Sequence, residues 1–280
     1  MYLNMKSLPI LMTASVSTRG MEGACFSDHE RYNMYLNTLI AYLSDGYAIS
    51  GSNLVFVDNS GWDLNSFYTD LKENFSEETL KSRVEFISLS PDLFDISKGK
   101  GYNELLMINL AIDKSVFINE AGAFFFFLGR YPILNLSRFV SAAHKAFEDG
   151  YSFYCDIKSH NLYRMLGLNW NSHTFEARLW GSKVDFYKKN ISEQYVNCYD
   201  YDGRFVENVL YNELSRLSND FKQSKEAGMM IRFDREARFG GIEGSTSSAA
   251  SFSKDQQSFK SRVKIMIGNF FRIFTPWFKF

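Results

Sequence analysis

The feature that most restricts how this chain can fold is the alternation of short apolar runs with longer segments of helical period. PILMTASVS at 9–17 is a run of strand formers ending in small hydroxyl residues, which predicts a buried first strand opening into a loop. From 28 to 45, Tyr32, Tyr35, Leu36, Leu39, Ile40 and Leu43 recur at helical spacing, with Asp28 placed to cap the helix and Gly46 to stop it. NLVFVDNSG at 53–61 then reads as a strand closed by a polar turn. The order continues with a helix over 64–81, a strand at 84–90, a helix over 101–115, the strand AFFFFLGRYPI at 123–133, a helix over 137–148 and the strand FYCDIK at 153–158. Such alternation predicts an α/β fold, a Rossmann-type, mostly parallel sheet with helices on both faces. The pattern loosens from 175 to 217, before a helix in RFVENVLYNELSRL at 204–217.

Size and charge narrow the classes further. A chain of 280 residues with 17% aromatics, 27 of them Phe, can bury a large core built on ring packing. A formal charge of −1 provides no global field for nucleic acid, so no nucleic-acid partner is expected. Cys25, Cys155 and Cys198 stand far apart with no CxxC pair, which suggests reduced thiols in a cytoplasmic protein. MYLNMKSLPILMTASVS has no long hydrophobic region or cleavage site, so a signal peptide is not expected, and AGAFFFFLG is too short to span a bilayer.

In a doubly wound sheet ligands gather at the carboxyl ends of the strands. The polar residues there are Thr13 and Ser15, then Asp58, Asn59 and Ser60, then Lys98 to Glu104, then Gly129, Arg130 and Tyr131, then Asp156. Such a rim suits an anionic nucleotide, whose hydration must be replaced by amides, hydroxyls and fixed cations. KGKGYNE puts Lys98, Lys100 and Gly101 at the start of a helix, either as an anion site or as a plain lysine-bearing turn; it lacks P-loop spacing. Glu104 is a candidate catalytic or ligand-orienting carboxylate, or a charge complementing the helix dipole. Arg130 follows four Phe and a Leu, so its guanidinium needs a carboxylate or a bound phosphate. Asp156 is placed to bind metal, to orient a sugar hydroxyl, or to cap the next segment.

Asp200 and Asp202 in CYDYDGR are spaced to hold Mg²⁺ or Mn²⁺ against a diphosphate, although Gly203 makes a simple turn equally natural. Glu207 either points inward from its helix or is solvated. Glu243 in GGIEGST either approaches a ligand from a loop or is a linker charge. His29, His144, His160 and His173 show no paired metal spacing, and no GxSxG elbow or cysteine-nucleophile signature is present.

Three regions follow: a domain over 1–240, a polar linker over 241–258, and a tail over 259–280. The tail, FKSRVKIMIGNFFRIFTPWFKF, has seven aromatics and no acidic residue. Lys260, Arg262, Lys264, Phe270, Phe271, Arg272, Trp277 and Phe278 form a basic, aromatic, amphipathic set suited to an anionic membrane surface. The alternatives are a helix docked on its own domain or a contact with a partner subunit. The tail places the protein in the cytoplasm, peripheral on the inner face of the membrane.

LMTASVS at 11–17, VDNSG at 57–61, GKGYNE at 99–104, LGRY at 128–131, YCDIK at 154–158 and IEGS at 242–245 together resemble a group of bacterial glycosyltransferases. Members of that group are encoded with capsule and lipopolysaccharide assembly systems and carry a GT-A type nucleotide-sugar-binding domain. The resemblance covers most of residues 9–248. It implies a nucleotide-sugar donor, a UDP-sugar or a CMP-activated acidic sugar, and a saccharide or lipid-linked acceptor. It also implies that Asp58, Asn59, Lys100, Glu104, Arg130 and Asp156 lie near the donor, with Glu207 and Glu243 as further candidates. The chain departs from the group's DxD at the end of a central strand, offering CDIK instead, which leaves metal dependence and stereochemistry open. A non-catalytic membrane-surface adaptor on the same fold is the other class of reading.

Overall fold

A computed structural model describes residues 8–20, 25–44, 52–130, 132–159, 173–218 and 221–240, together with 263, 266, 267, 269 and 270. In chain order the strands are β1 (Ile10–Ala14), β2 (Leu54–Asp58), β3 (Val84–Ser88), β4 (Ala123–Leu128), β5 (Phe153–Tyr154), β6 (Ile157–Ser159), β7 (His173–Phe175), β8 (Leu179–Lys183) and β9 (Met229–Met230). Seven of these form one sheet in the order β3-β2-β1-β4-β8-β5-β9. The first four run parallel in register, with Thr13 opposite Val57 and Leu128. The expected α/β fold with a mostly parallel sheet is therefore the observed one.

Strands β1 and β2, and β4 up to Phe127, are buried on both faces, as continuous apolar runs require at the centre of a parallel sheet. The side-chain period of two divides the four consecutive Phe residues between two cores. Phe125 and Phe127 join Met12 and Phe56 against Tyr35, Leu39 and Tyr42 of α1 (Asp28–Leu43) on one face. Phe124 and Phe126 join Leu11 and Val57 on the other, with Trp180 and Tyr187 stacked 5.8 Å apart. A fully buried ring of this size contributes on the order of 2–3 kcal/mol.

Several boundaries differ from expectation. The α1 cap is Ser27, which forms a capping box with Glu30, while Asp28 sits in the first turn; Gly46 lies outside the described residues. The helix expected over 64–81 is two, α2 (Asn65–Leu71) and α3 (Glu77–Arg83), because Ser76 offers its hydroxyl to the Thr79 N–H and starts a new helix. α4 (Lys100–Lys114) and α5 (Val116–Ala121) precede β4, and α6 (Leu136–Glu148) follows it. β4 stops at Leu128 rather than continuing to 133.

FYCDIK does not form one strand. β5 stays in the main sheet and β6 pairs with β7 in a separate ribbon, since Asp156 between them is buried and accepts the Phe233 N–H at 3.2 Å. β8 inserts antiparallel between β4 and β5. Its sequence, LWGSK, has no β-branched residue, and Gly181 lets Phe125, Phe147 and Ala143 close over it, the nearest at 3.2 Å from a notional Cβ. α7 (Val184–Asn190), α8 (Val206–Leu217) and α9 (Phe221–Glu226) complete the described helices. Among the described residues no helix is long and apolar enough to cross a membrane.

The linker lies outside the described residues, and so does most of the tail. The five described tail residues include helical positions Met266, Ile267 and Phe270, which are 65%, 49% and 54% exposed. Asn269 accepts a 3.0 Å hydrogen bond from the Glu236 N–H. Lys260, Arg262, Lys264, Phe271, Arg272, Trp277 and Phe278 lie outside the described residues.

Candidate active site

Parallel strands bring their carboxyl ends to one edge, and there a cleft of about 490 Å³ opens. Thr13 of β1 and Ser15 just after it, Asn59 after β2, Gly129 and Arg130 after β4, Lys100, Gly101 and Glu104 of α4, and Glu207 of α8 all line it. Phe126, Met107 and Trp180 supply an apolar floor.

The loop after β1 is held from below. Asp58 is inaccessible and accepts the Val16 N–H at 2.9 Å and the Ser60 N–H and hydroxyl at 2.8 Å. Burial pushes its carboxyl up, and those donors pull against the shift. Ser60 in turn accepts the Ser17 N–H at 3.0 Å. Asp58 and Ser60, expected to bind the donor, instead shape the loop and do not line the cleft. Asn59 does line it and accepts from the Ser15 hydroxyl at 2.6 Å.

Gly129 lets β4 press against β1. Its N–H donates to the Thr13 carbonyl at 3.2 Å, and a side chain at 129 would meet that same oxygen at 2.6 Å. Arg130 is thereby delivered beside Thr13 at the mouth of the cleft. Tyr131 lies outside the described residues. The Thr13 hydroxyl donates to Glu104 at 2.5 Å. Glu104 opens onto the cleft, yet protein crowds its carboxyl, and burial pushes it up to about 7 against the pull of Thr13 and Arg130.

Gly99, with φ 90 and ψ −173, starts α4 where only glycine fits. The Asp200 carboxylate accepts the Lys100 N–H at 2.6 Å, so an internal anion holds the helix end expected to take a phosphate. Asp202 pairs with Arg204 at 2.8 Å. Both carboxylates of the expected metal pair thus have protein partners, and neither lines the cleft. Among the described residues no group of three His, Cys, Asp or Glu could hold a metal ion.

Lys98 also lies off the cleft, 5.5 Å from the Tyr199 ring centroid. Asp156, expected near the donor, accepts the Phe233 N–H and does not line the cleft. Glu207 lines the far wall, where burial raises its carboxyl, Glu176 and Asp200 add to the shift, and Arg178 opposes it. Glu243 lies outside the described residues.

Among the lining residues that escape sequence reasoning are Arg31, Glu176 and Arg178. Arg31, only 6% exposed, donates from Nε to the Ser15 carbonyl at 2.7 Å. Its position on the buried face of α1 with Tyr35, at i and i+4, is the signal for it. Glu176 and Arg178 face each other at 2.6 and 2.8 Å. They sit in the turn before β8, where no pattern marks them.

No protein-family model matches the chain, and no curated protein matches it. Among solved structures it is similar to the galactosyltransferase LgtC in complex with donor and acceptor sugar analogs, at 11% identity and TM-score 0.45 over 74% of this chain and 70% of that one. It is also similar to a nucleotide-diphospho-sugar transferase assigned in Desulfovibrio desulfuricans G20, at 9% identity and TM-score 0.41 over 94% and 96% of the two chains. A third is the mannosyltransferase Ktr4p from S. cerevisiae in complex with GDP, at 9% identity and TM-score 0.39 over 90% and 75%. Likeness at this level carries no inference about activity.

Proposed function

We propose that the protein is a glycosyltransferase that moves a sugar from a nucleotide-sugar donor to a saccharide or lipid-linked acceptor in bacterial surface-polysaccharide assembly. The observation that carries this reading is one cleft lined by the cations Arg31, Lys100 and Arg130 and by the carboxylates Glu104 and Glu207. Cations stabilise a departing phosphate, and a carboxylate orients or deprotonates an acceptor hydroxyl. The resemblance noted in the sequence supplies the sugar chemistry. A UDP-hexose is favoured over a CMP-activated sugar because several cations suit two phosphates better than one.

The expected result is that one member of a nucleotide-sugar panel raises the melting temperature and then releases nucleotide when acceptor is added. If no nucleotide sugar shifts the melt and none is turned over, the enzyme reading fails and the adaptor reading takes its place.

The tail is proposed to hold the enzyme on an anionic membrane, supported by its charge and by exposed Met266, Ile267 and Phe270. The full chain should co-sediment with phosphatidylglycerol vesicles and less with phosphatidylcholine, with release as salt rises. A variant carrying Met266→Ser, Ile267→Ser and Phe270→Ser should pellet less. Equal pelleting of the two proteins would sink the idea.

A further inference from the structure

Resting on the nucleotide-sugar reading above, we infer that the donor's diphosphate is anchored by the fixed side-chain cations Lys100 and Arg130, with Arg31 behind them, in place of a protein-bound divalent ion.

The argument begins with the oxygen ligands a divalent ion would need. Mg²⁺ and Mn²⁺ take carboxylates and other hard oxygens, usually one or two from protein with phosphate completing the shell. Of the carboxylates that line this cleft, Glu104, Glu176 and Glu207, the first two already accept protein donors. Outside the lining, Asp58 accepts one donor from Val16 and two from Ser60, and Asp200 caps α4. Glu104 accepts from Thr13, and Glu176 accepts two bonds from Arg178. Among the described residues no group of three His, Cys, Asp or Glu comes together to hold such an ion.

The cations tell the opposite story. Burial disfavours the charge on Arg31 and on Lys100, Arg130 adds to that effect on each, and Arg31 adds to it on Lys100. All three line one cleft. Bringing like charges together in a half-enclosed, low-dielectric space is unfavourable unless something of opposite sign offsets it. Asp58, Glu104 and Asp200 stand near these cations and supply opposite charge. A diphosphate in the cleft would add to it, and a guanidinium can bind one through two parallel N–H donors.

The backbone positions two of the three cations. Gly129, pressed against Thr13, delivers Arg130 to the end of β4. Asp200 satisfies the start of α4, so what the helix presents to the cleft is the Lys100 ammonium.

Calorimetric titration of the full chain with UDP, GDP, ADP and CDP, once in excess EDTA and once in excess Mn²⁺, tests this. At least one diphosphate should bind, with its Kd in EDTA within about threefold of that in Mn²⁺, and Arg130→Met and Lys100→Met should each weaken it about tenfold or more. Arg130→Lys should recover part of the loss. If Arg130→Met does not melt cooperatively, Arg130→Lys and Lys100→Met carry the comparison. Tightening by more than about tenfold in Mn²⁺, or unchanged affinity in the variants, overturns the inference and leaves the donor reading standing. Absence of binding by every diphosphate under both conditions overturns the inference and the donor reading together.

Discussion

Glu104→Gln is expected to lower kcat by about 10²–10⁴-fold, the range that a positioned general base or acid contributes, with little change in the donor's KM. The residue's place explains the size of the effect. It lines the cleft, accepts the Thr13 hydroxyl and feels the charge of Arg130, so its carboxyl is available to an acceptor bound there. Because burial lifts its carboxyl to about 7, the rate of the unsubstituted enzyme should climb with pH and level off above about 7. The variant should lose that limb. Nucleotide release at saturating donor, followed from pH 5 to 9, reads both effects, and a variant with full activity would remove Glu104 from the chemistry.

The same substitution has a stability signature of known sign. A carboxyl whose folded value is raised from 4.5 to about 7 favours the fold in its protonated form. That contribution is complete below about 4.5 and is lost as pH rises through about 7. Gln cannot ionise, so Glu104→Gln should gain on the unsubstituted protein between pH 5 and pH 8. The gain should be on the order of 2 kcal/mol, or roughly 3–6 °C in melting temperature.

Gly99→Ala is expected to cost about 2–4 kcal/mol and to weaken nucleotide binding at the same time. With φ 90, an added Cβ would be strained, and it would stand 2.6 Å from both Cβ and Cγ of Asp200. The carboxylate must then leave the Lys100 N–H, and the first turn of α4, which carries Lys100 and Glu104 to the cleft, loses its anchor. Urea unfolding measures the first effect and nucleotide titration the second. A loss under about 1 kcal/mol would show that Asp200 does not hold the helix.

Much of the cleft follows from local pattern. Thr13, Ser15, Asn59 and Arg130 lie just past apolar runs, and Lys100 and Glu104 open a helix, so knowing strand direction is enough to send them to one edge. Asp58 and Asp156 have the same address and a different use. A carboxylate at a strand end can face a ligand or satisfy a nearby N–H, and the choice depends on the chain that passes beside it. For Asp156 that chain is the segment at Phe233, 77 residues away, and for Asp200 it is Lys100, 100 residues away. No window of sequence contains both partners. Arg31 was hidden for a related reason: a cation among apolar helix positions gives no sign that backbone carbonyls of a preceding loop will receive it.

The sequence by itself determined the alternation of strand and helix, the mostly parallel character of the sheet, a strand at the Phe run and the charge of the tail. These are set by side-chain periodicity and composition, which act over a few residues. Tertiary structure decided that β8 enters antiparallel between β4 and β5, that β5 and β6 part company at Asp156, and which acids face the cleft. Those outcomes depend on competition for buried hydrogen bonds between segments far apart in the chain, where the cost of an unpaired polar group outweighs local preference.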